Sequence, residues 1–422
     1  MITIYKALNL ILYPIAVLII FVRKILNKEH HSRYKEKIFS SSFKSFAVNN
    51  KLYWFHAASV GELMSIIPLI KKLGINNNLN FLVTTITNTS ANVAEKEFSE
   101  IKNIHHRFLP IDNPILVKKF IYGWKPNAAF FVDSEIWPNF IFEIKNNGIP
   151  LILINARITK KTYDRWMLLS KFAKELFNNF DLCLVSNSET KKYLEILSKK
   201  KIKFIGNLKY SIEVKDKILI NKNLNKLNNY SYWCAASTHH PEENFCLEVH
   251  SLIKVKKNIL TIIIPRHITR SKEISKLCIN KKLNFQILGV GDEIKDNIDI
   301  LIVNSFGQLS QFFKSCDSVF IGKSLVKKYE DDGGQNPIEA VKQGCKVYHG
   351  PYIKNFKDIY DELKSYNVGE KVVSPEDLST KLIEDFDNKN NIKKYENAKK
   401  VSEIGNKILN DTMDEINDFI SS

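Results

Sequence analysis

The sequence lacks the local motifs that identify several large enzyme classes. No Gly-x-x-x-x-Gly-Lys-Ser/Thr, Gly-x-Gly-x-x-Gly or Gly-x-Ser-x-Gly pattern occurs where it would carry function, which argues against P-loop, dinucleotide-binding and serine-hydrolase chemistry. The six cysteines lie far apart without a Cys-x-x-Cys pair, and histidines form adjacent pairs rather than pairs four residues apart. We therefore expect reduced thiols, no structural zinc and no other metal site.

Acidic residues are few relative to basic ones. The 422 residues include 62 Lys and Arg against 45 Asp and Glu, a net charge of +17. This excess indicates an anionic partner such as nucleic acid, a phosphorylated lipid or an anionic membrane surface, although a general bias toward Lys, Asn and Ile explains it equally well. No Arg-Gly-Gly tract, basic helix with interleaved aromatics or known nucleic-acid module occurs, so we expect no nucleic-acid partner.

The N-terminus contains the one strongly apolar segment. The run from Ala7 to Val22 is free of charge and is followed by Arg23 and Lys24, but it is shorter than the roughly 20 residues that a spanning helix prefers. A cleaved signal peptide is disfavoured because no small-x-small site precedes the basic run. Residues 1–24 are predicted to form a tilted or shallow membrane anchor with its basic flank in the cytoplasm; a buried helix of the first domain is the alternative.

The rest of the chain alternates short apolar runs with amphipathic segments, which predicts an α/β fold with parallel sheets. We predict a Rossmann-like, doubly wound domain over residues 40–214, a linker over 215–229, a second such domain over 230–395 and a closing helix over 396–422. The predicted strands are Leu52–Phe55, Phe81–Thr84, His106–Leu109, Ala128–Val132, Leu151–Ile154, Leu182–Val185, Lys203–Ile205, Tyr232–Ala236, Leu260–Ile264, Phe285–Leu288, Ile300–Val303, Val319–Ile321 and Lys346–Tyr348.

Acidic and basic residues follow several strands of the first half. A predicted strand is followed by a Ser-Val-Gly turn, and Glu62 lies at the start of the helix after this turn. This position is at the carboxyl edge of the sheet, where open α/β sheets bind ligands. Glu62 is a candidate general base, or a first-turn Glu that only complements the helix dipole. Glu135 follows another strand and is expected at the same edge, with helix capping as the alternative. Arg157 and Lys209 follow two further strands.

The second half offers groups suited to an anion. Ser237 and Thr238 follow a strand and precede a helix, as in phosphate sites, although a simple helix cap is the alternative. Arg266 is placed for a phosphate or base contact. The segment Gly333–Glu339 fits a capping box at Asn336 or a turn that a ligand approaches closely. Carboxylates in one half and anion donors in the other favour group transfer from a nucleotide.

Seven motifs in this order resemble those of the lipid A Kdo transferases, glycosyltransferase family 30, which move 3-deoxy-D-manno-octulosonic acid (Kdo) from CMP-Kdo to the lipid A precursor. They are Trp54-Phe-His-Ala-Ala-Ser-Val-Gly-Glu62, Asp133-Ser-Glu-Ile-Trp-Pro138, Asn155-Ala-Arg157, Gly206-Asn-Leu-Lys209, Ala236-Ser-Thr-His239, Pro265-Arg-His267 and Gly333-Gly-Gln-Asn-Pro-Ile-Glu339. The resemblance runs to about Asp358. It implies a GT-B fold, an inverting reaction that needs neither metal nor cofactor, and an anchor on the cytoplasmic face of the bacterial inner membrane.

The resemblance also implies roles for single residues. Glu62 matches the catalytic base, and Glu135 and Lys209 match residues that support the transition state. The expected substrate- and CMP-binding residues are Ser59, Arg157, Ser237, Thr238, His239, Pro265, Arg266, Phe306, Gly307, Gln308, Gly334, Asn336, Pro337, Ile338 and Glu339.

This sequence departs from the family pattern at several positions. Ser134 separates two acids where the family usually has Glu-x-Glu, Gln308 replaces an acid, and His240-Pro241 stands where a glycine is commoner. Lys323 replaces a glycine, and Lys327–Asp332 resembles an insertion. Another GT-B enzyme that uses a UDP-sugar, or a non-catalytic protein that binds anionic lipid, is the alternative interpretation of the chain.

Overall fold

A computed structural model describes residues 1–43, 50–75, 79–213, 221–228, 230–305, 309–388 and 391–421. These residues form two compact units, Met1–Ile212 with Ile404–Ser422 (unit 1) and Glu213–Glu403 (unit 2). Each unit is built on one seven-stranded sheet.

The sheet of unit 1 is parallel, with the strand order β3-β2-β1-β4-β5-β6-β7. Its strands are β1 (Lys51–His56), β2 (Leu79–Thr85), β3 (Ile104–Phe108), β4 (Ala128–Val132), β5 (Leu151–Ala156), β6 (Leu182–Val185) and β7 (Lys201–Phe204). The strand order reverses between β1 and β4, and ligands of open α/β sheets bind at such a reversal.

The helices of unit 1 alternate with these strands, as the amphipathic segments predict. They are α1 (Ile2–Ile11), α2 (Tyr13–Ile25), α3 (Val60–Leu73), α4 (Asn88–Phe98), α5 (Pro114–Trp124), α6 (Pro138–Asn146), α7 (Lys160–Met167), α8 (Ser170–Phe177) and α9 (Ser188–Leu197). The segment between β5 and β6 is divided into two helices, since α7 ends at Met167 and α8 begins at Ser170.

Aromatic residues fill the core beneath the sheet of unit 1. Trp54 on β1 packs against Phe120, Phe131 and Phe140, with ring centroids 5.0–5.5 Å apart, and its exposed fraction is 0%. Burial of large rings is among the strongest sources of packing energy. This core fixes the ends of β1 and β4, from which the acidic turns leave.

Unit 2 repeats the plan with the strand order β10-β11-β9-β8-β12-β13-β14, again parallel. Its strands are β8 (Ser231–Thr238), β9 (Ile259–Pro265), β10 (Phe285–Leu288), β11 (Ile300–Val303), β12 (Ser318–Ile321), β13 (Lys346–His349) and β14 (Gly369–Lys371). The predicted strands omit β14, which is only three residues long.

The remaining helices begin within the predicted linker and end in the tail. They are α10 (Asn221–Asn228), α11 (Glu242–Lys254), α12 (Ser271–Asn280), α13 (Leu309–Phe313), α14 (Ile338–Lys342), α15 (Lys357–Ser365), α16 (Pro375–Asp387) and α17 (Asn391–Ser421). Within the predicted linker, residues 215–220 and 229 lie outside the described residues. The predicted closing helix lies within α17, whose segment from Ile404 belongs to unit 1.

Among the described residues, no single helix is long and apolar enough to cross a bilayer. The consecutive helices α1 and α2 meet that requirement together, by length and composition, but they are bent by 53° at the break between them. The anchor over residues 1–24 therefore stays a prediction.

Candidate active site

The turn from β1 to α3 holds Glu62 in a capping box. Ser59 is the N-cap residue, and its Oγ accepts a hydrogen bond from Glu62 N at 3.3 Å. The Glu62 carboxylate accepts from Ala58 N at 2.7 Å and Ser59 N at 3.3 Å, both at Oε2, and from Ser59 Oγ at 2.8 Å at Oε1. These donors belong to the turn itself, and Glu62 lies in the first turn of α3, the position that the helix-dipole alternative requires. That position does not exclude a catalytic role.

The turn after β4 carries two more carboxylates. Asp133 adopts a left-handed backbone conformation, with φ +60°, which Asp tolerates better than most residues. Glu135 Oε2 lies 3.1 Å from His56 Nε2 and accepts from Trp137 Nε1 at 2.8 Å. Because β4 lies beside β1, the parallel pairing brings this turn to the edge that carries Glu62.

Two basic residues reach the same edge from β5 and β7. Arg157 follows the last residue of β5, and Lys209 lies in the short 3-10 turn Leu208–Ser211 after β7. Asn155 joins the two segments, since its Oδ1 accepts a hydrogen bond from Leu208 N at 2.9 Å. The Asn-Ala-Arg motif thus combines a structural tie with a guanidinium.

The groups at this edge lie close enough together to shift one another's pKa values. Burial raises the pKa of Glu62, and the nearby carboxylates of Glu135 and Asp133 raise it further. Burial likewise raises the pKa of Asp133, against the opposing effect of Lys209 and Arg157. Burial lowers the pKa of Lys209, although Asp133 and Glu62 oppose that shift. The structure therefore brings together Glu62, Glu135, Arg157 and Lys209, as the sequence predicts, and adds Asp133.

Glu135 differs from the other carboxylates of this group. Burial would raise its pKa, but the hydrogen bonds from His56 and Trp137 outweigh burial, and the pKa of Glu135 is lowered. One edge of the sheet therefore holds a carboxylate with a raised affinity for a proton and another that stays ionised. Such a pair suits a division between acid–base work and charge stabilisation.

In unit 2, the corresponding turn after β8 is built around a buried glutamate. Glu242 is 1% exposed. Its Oε2 accepts from His239 N at 2.9 Å and Lys323 N at 2.7 Å, and its Oε1 accepts from Ser324 N at 2.7 Å and Leu325 N at 3.0 Å. This carboxylate fastens the loop after β12 to the turn that carries Ser237 and Thr238.

Arg266 leaves the end of β9 with an exposed side chain. Within the described part of the chain, its guanidinium makes no hydrogen bond or ion pair, while its backbone N donates to Thr238 O at 3.1 Å. The backbone bond places Arg266 and Pro265 beside the β8 turn. The ring of His239 packs against the rings of His267 and Tyr329, with centroids 5.7 and 5.6 Å apart.

The segment that resembles an insertion is attached to this turn. Lys323 Nζ pairs with Asp332 at 2.7 Å and lies 5.6 Å from the centroid of the Tyr329 ring. Lys323 itself has a φ of +57°, a conformation for which glycine is the usual residue. The two departures from the family pattern therefore contact each other.

The glycine-rich segment before α14 has a packing function. A Cβ at Gly333 would lie 2.3 Å from Tyr352 O and 2.5 Å from Tyr329 O, so only glycine fits against these carbonyls. Helix α14 begins at Ile338 with Pro337 as its N-cap residue. The capping box at Asn336 is therefore wrong in register, although Asn336 Oδ1 accepts from Ile338 N at 3.1 Å.

The other predicted residues of this region have mixed positions. Pro337 and Ile338 are buried, Glu339 is half-buried and Asn336 is exposed. Gly334 is buried and has a φ of +87°. Phe306, Gly307 and Gln308 lie outside the described residues. Within the described ranges, no group of three or more His, Cys, Asp or Glu residues is arranged to hold a metal ion.

Comparison with known proteins agrees with this architecture. Residues 30–212 match the model of the 3-deoxy-D-manno-octulosonic-acid transferase (kdotransferase) family. A curated relative, the 3-deoxy-D-manno-octulosonic acid transferase of Rickettsia bellii, is 31% identical over 99% of this chain and 100% of its own length. The chain belongs to the family of 3-deoxy-D-manno-octulosonic acid transferases.

Solved structures show that this Kdo transferase family member has the two-domain fold of GT-B proteins. The match to a UDP-N-acetylglucosamine 2-epimerase covers 89% of this chain and 97% of the epimerase chain, with a TM-score of 0.60 and 12% sequence identity. The match to the glycotransferase of kitacinnamycin covers 88% of this chain and 99% of the glycotransferase chain, with a TM-score of 0.53 and 11% sequence identity. At these identities the likeness concerns the fold alone.

The predicted site residues omit four residues that the structure places at these turns: Asp133, His56, Trp137 and Glu242. His56 and Trp137 contact Glu135, and Glu242 holds two loops together. His56 and Trp137 are part of quoted motifs, but the partner of His56 lies 79 residues away. In the sequence, the adjacent residues Glu242 and Glu243 indicate only that a helix begins there.

Proposed function

We propose that this chain is an inverting glycosyltransferase that moves Kdo from CMP-Kdo to the phosphorylated lipid A precursor during lipopolysaccharide biosynthesis. Membership of the Kdo transferase family supports the reaction. The observation that carries the residue assignments is the group of Glu62, Asp133, Glu135 and Lys209 at one edge of the sheet of unit 1. A raised pKa on one carboxylate and a lowered pKa on its neighbour is the pattern expected of an acid–base site.

In the proposed reaction, Glu62 removes the proton from the acceptor hydroxyl. The acceptor oxygen forms a bond with the anomeric carbon of Kdo as the bond from that carbon to the CMP phosphate oxygen breaks. The electron pair of the broken bond leaves with CMP. A base whose pKa is raised toward the working pH accepts a proton more readily than an ordinary carboxylate, and Glu62 meets that condition.

Charges that develop in this reaction need fixed partners. The anomeric carbon becomes positive, and Glu135, which stays ionised, would stabilise it. The leaving CMP is an anion, and Lys209 is proposed to support its departure. Ser59 and Arg157 lie at the same edge and would orient the acceptor or the sugar carboxylate.

We assign CMP binding to unit 2. Arg266 is exposed beside the β8 turn and suits a phosphate, since guanidinium groups bind phosphates with two parallel hydrogen bonds. Ser237, Thr238, His239 and Pro265 belong to the same pair of strand ends. The glycine-rich segment with Gly334 and Asn336–Glu339, together with Phe306–Gln308, completes the assignment by its match to the family motif. The proposal includes neither a metal nor a cofactor.

Mass spectrometry tests the reaction directly. The lipid A precursor incubated with CMP-Kdo and this protein is expected to gain the mass of one or more Kdo units, with release of CMP. Absence of a product would contradict the proposal. Calorimetry with CMP and UDP separates the donors, and tighter binding of UDP would favour a UDP-sugar enzyme.

We also propose that α1 and α2 hold the protein on the cytoplasmic face of the bacterial inner membrane and lie along its surface. Many apolar side chains of this pair are exposed, among them Ile11 and Leu18. Hydrogen bonds tie α1 to the rest of unit 1, from Tyr5 Oη to Asp112 at 2.9 Å and from Asn113 Nδ2 to Asn9 O at 3.3 Å. A helix held in this way is better suited to an interface than to crossing the bilayer.

Binding to vesicles of anionic phospholipid tests the anchor. Leu18→Glu is expected to weaken vesicle binding at least about 10-fold without a change in the unfolding midpoint, because Leu18 is 63% exposed. Val255→Glu is the matched control, since Val255 is 87% exposed in unit 2. Equal loss of binding in both variants, or in neither, would contradict the proposal.

A further inference from the structure

His56 is a buried histidine whose side chain contacts the carboxylate of Glu135. It is the last residue of β1, and its exposed fraction is 0%. Its Nε2 lies 3.1 Å from Glu135 Oε2, although Glu135 is 79 residues further along the chain. Because an ionised carboxylate only accepts hydrogen bonds, Nε2 carries the hydrogen in this contact.

The opposite nitrogen of the ring is also held. His56 Nδ1 lies 3.0 Å from Thr84 Oγ1 and 3.2 Å from Thr84 O. Thr84 Oγ1 in turn accepts from Trp54 Nε1 at 2.9 Å. Thr84 on β2 and Glu135 in the turn after β4 therefore hold the imidazole ring at its two nitrogens, and second contacts of this kind orient a side chain toward its functional partner.

Glu135 receives both of its donors at one oxygen. Trp137 Nε1 donates to Oε2 at 2.8 Å, beside the contact from His56. Among the residues that the structure describes, no hydrogen bond reaches Oε1. One oxygen is thus used to hold the carboxylate in place. Consistent with this, the pKa of Glu135 is lowered despite burial, whereas the pKa values of Glu62 and Asp133 are raised.

We propose that His56 is a positioning residue for sugar transfer, which holds Glu135 through Oε2 so that Glu135 enters the reaction as a fixed carboxylate while Glu62 takes the proton. Trp137 is its second support. This inference rests on the proposed function, in which Glu135 stabilises the anomeric carbon. A fixed carboxylate contributes more to transition-state stabilisation than a mobile one, because no reorganisation is needed during the reaction.

The two nitrogens of His56 can be tested separately. The amide of Gln reaches about as far from the backbone as His Nε2, and the amide of Asn about as far as Nδ1. His56→Gln therefore keeps a donor for Glu135 and loses the Thr84 contact, and His56→Asn does the reverse. We expect kcat for Kdo transfer to fall about 10- to 100-fold in His56→Asn and clearly less in His56→Gln. KM for CMP-Kdo should change little in either variant.

His250 in unit 2 supplies a matched control. It is also 0% exposed, and its Nδ1 lies 2.9 Å from Thr261 Oγ1. Within the described residues its Nε2 has no hydrogen-bond partner; the nearest carboxylate oxygen, Asp299 Oδ1, lies 3.9 Å away, beyond hydrogen-bond distance. For a histidine that serves structure only, Asn should be tolerated better than Gln. We therefore expect His250→Asn to be the more stable of its pair and both variants to keep a normal kcat.

The proposal is tested by which of the two His56 variants has the lower kcat. Equal kcat in His56→Asn and His56→Gln, or a lower kcat in His56→Gln, would overturn it. If the His56 variants fail to fold, Trp137→Phe keeps the ring and removes the other donor, and a kcat equal to that of the wild type would then overturn the proposal. Absence of Kdo transfer by the wild-type protein in the same assay would instead reject the proposed function itself.

Discussion

Glu62 and Glu242 occupy comparable places in the two units. Each begins or nearly begins the helix that follows the first strand of its sheet, α3 after β1 and α11 after β8. Their partners differ. Glu62 accepts hydrogen bonds from its own turn and lies beside two other carboxylates, whereas Glu242 accepts four backbone N–H bonds from two separate loops.

The comparison teaches that position at the edge of the sheet does not decide what a glutamate does. Burial raises the pKa of both carboxylates. Within the described residues, every hydrogen bond that the Glu62 carboxylate accepts comes from Ala58 or Ser59, and the neighbouring acids make Glu62 a better proton acceptor. Glu242 instead uses both oxygens to hold the backbone, so we assign it a structural function.

Glu242→Gln should destabilise the protein by about 3 kcal/mol or more. The amide NH2 would face two backbone N–H groups that now donate to a carboxylate oxygen, and unsatisfied buried donors cost about 1–3 kcal/mol each. Urea unfolding of the full chain measures the loss. Glu62→Gln is the control, because the amide can donate to Ser59 Oγ while its oxygen keeps the two backbone bonds. Equal losses of unfolding free energy in the two variants would contradict the structural function assigned to Glu242.

The same contrast applies to two arginines of unit 2. Arg270 binds both oxygens of buried Glu243, at 3.1 and 3.0 Å, whereas Arg266 is exposed. Arg270→Gln should lower the free energy of unfolding by about 2–3 kcal/mol, because it leaves a buried carboxylate without its cation. Arg266→Gln should leave stability within about 0.5 kcal/mol.

Calorimetry with CMP completes this test. Arg266→Gln is expected to weaken CMP binding about 10-fold, which corresponds to the loss of one charged hydrogen bond. Normal CMP affinity in Arg266→Gln would show that the exposed guanidinium has no part in donor binding.

Ser59→Ala should change the pH dependence of transfer and cost about 1 kcal/mol of stability as a lost N-cap. The hydroxyl of Ser59 lowers the pKa of Glu62 by donating to the ionised carboxylate, so its removal raises that pKa further. A general base works only when ionised, and activity therefore appears as the pH rises through its pKa. The acid limb of kcat/KM should move to higher pH. An unmoved limb, or one that moves to lower pH, would indicate that Glu62 is not the titrating base.

Much of the fold follows from local sequence patterns. Runs such as Ala128–Val132 and Leu182–Val185 are continuous apolar segments, and the structure has strands with the same bounds. The carboxyl ends of parallel strands lie at the same edge of a sheet. Because Glu62 and Glu135 each follow such a strand, the sequence alone predicts that they lie near each other.

What escaped prediction depends on contacts between distant segments. The donors to Glu242 include Lys323–Leu325, 81 to 83 residues further on. His56 on β1 contacts Glu135 in the turn after the neighbouring strand β4, 79 residues away in sequence. The sequence left open why the segment Gly333–Glu339 begins with glycine, and the structure shows that carbonyls of Tyr352 and Tyr329 occupy the space where a side chain at Gly333 would lie. Local patterns carry no information on such neighbours.

The most direct measurement is a single-turnover transfer experiment with Glu62→Gln, CMP-Kdo and the lipid A precursor. We expect the rate of Kdo transfer to fall about 10²- to 10⁴-fold, the usual contribution of a general base. CMP affinity by calorimetry and the unfolding midpoint should stay close to the wild-type values. A near-native transfer rate in this folded variant would contradict the assignment of Glu62 as the base.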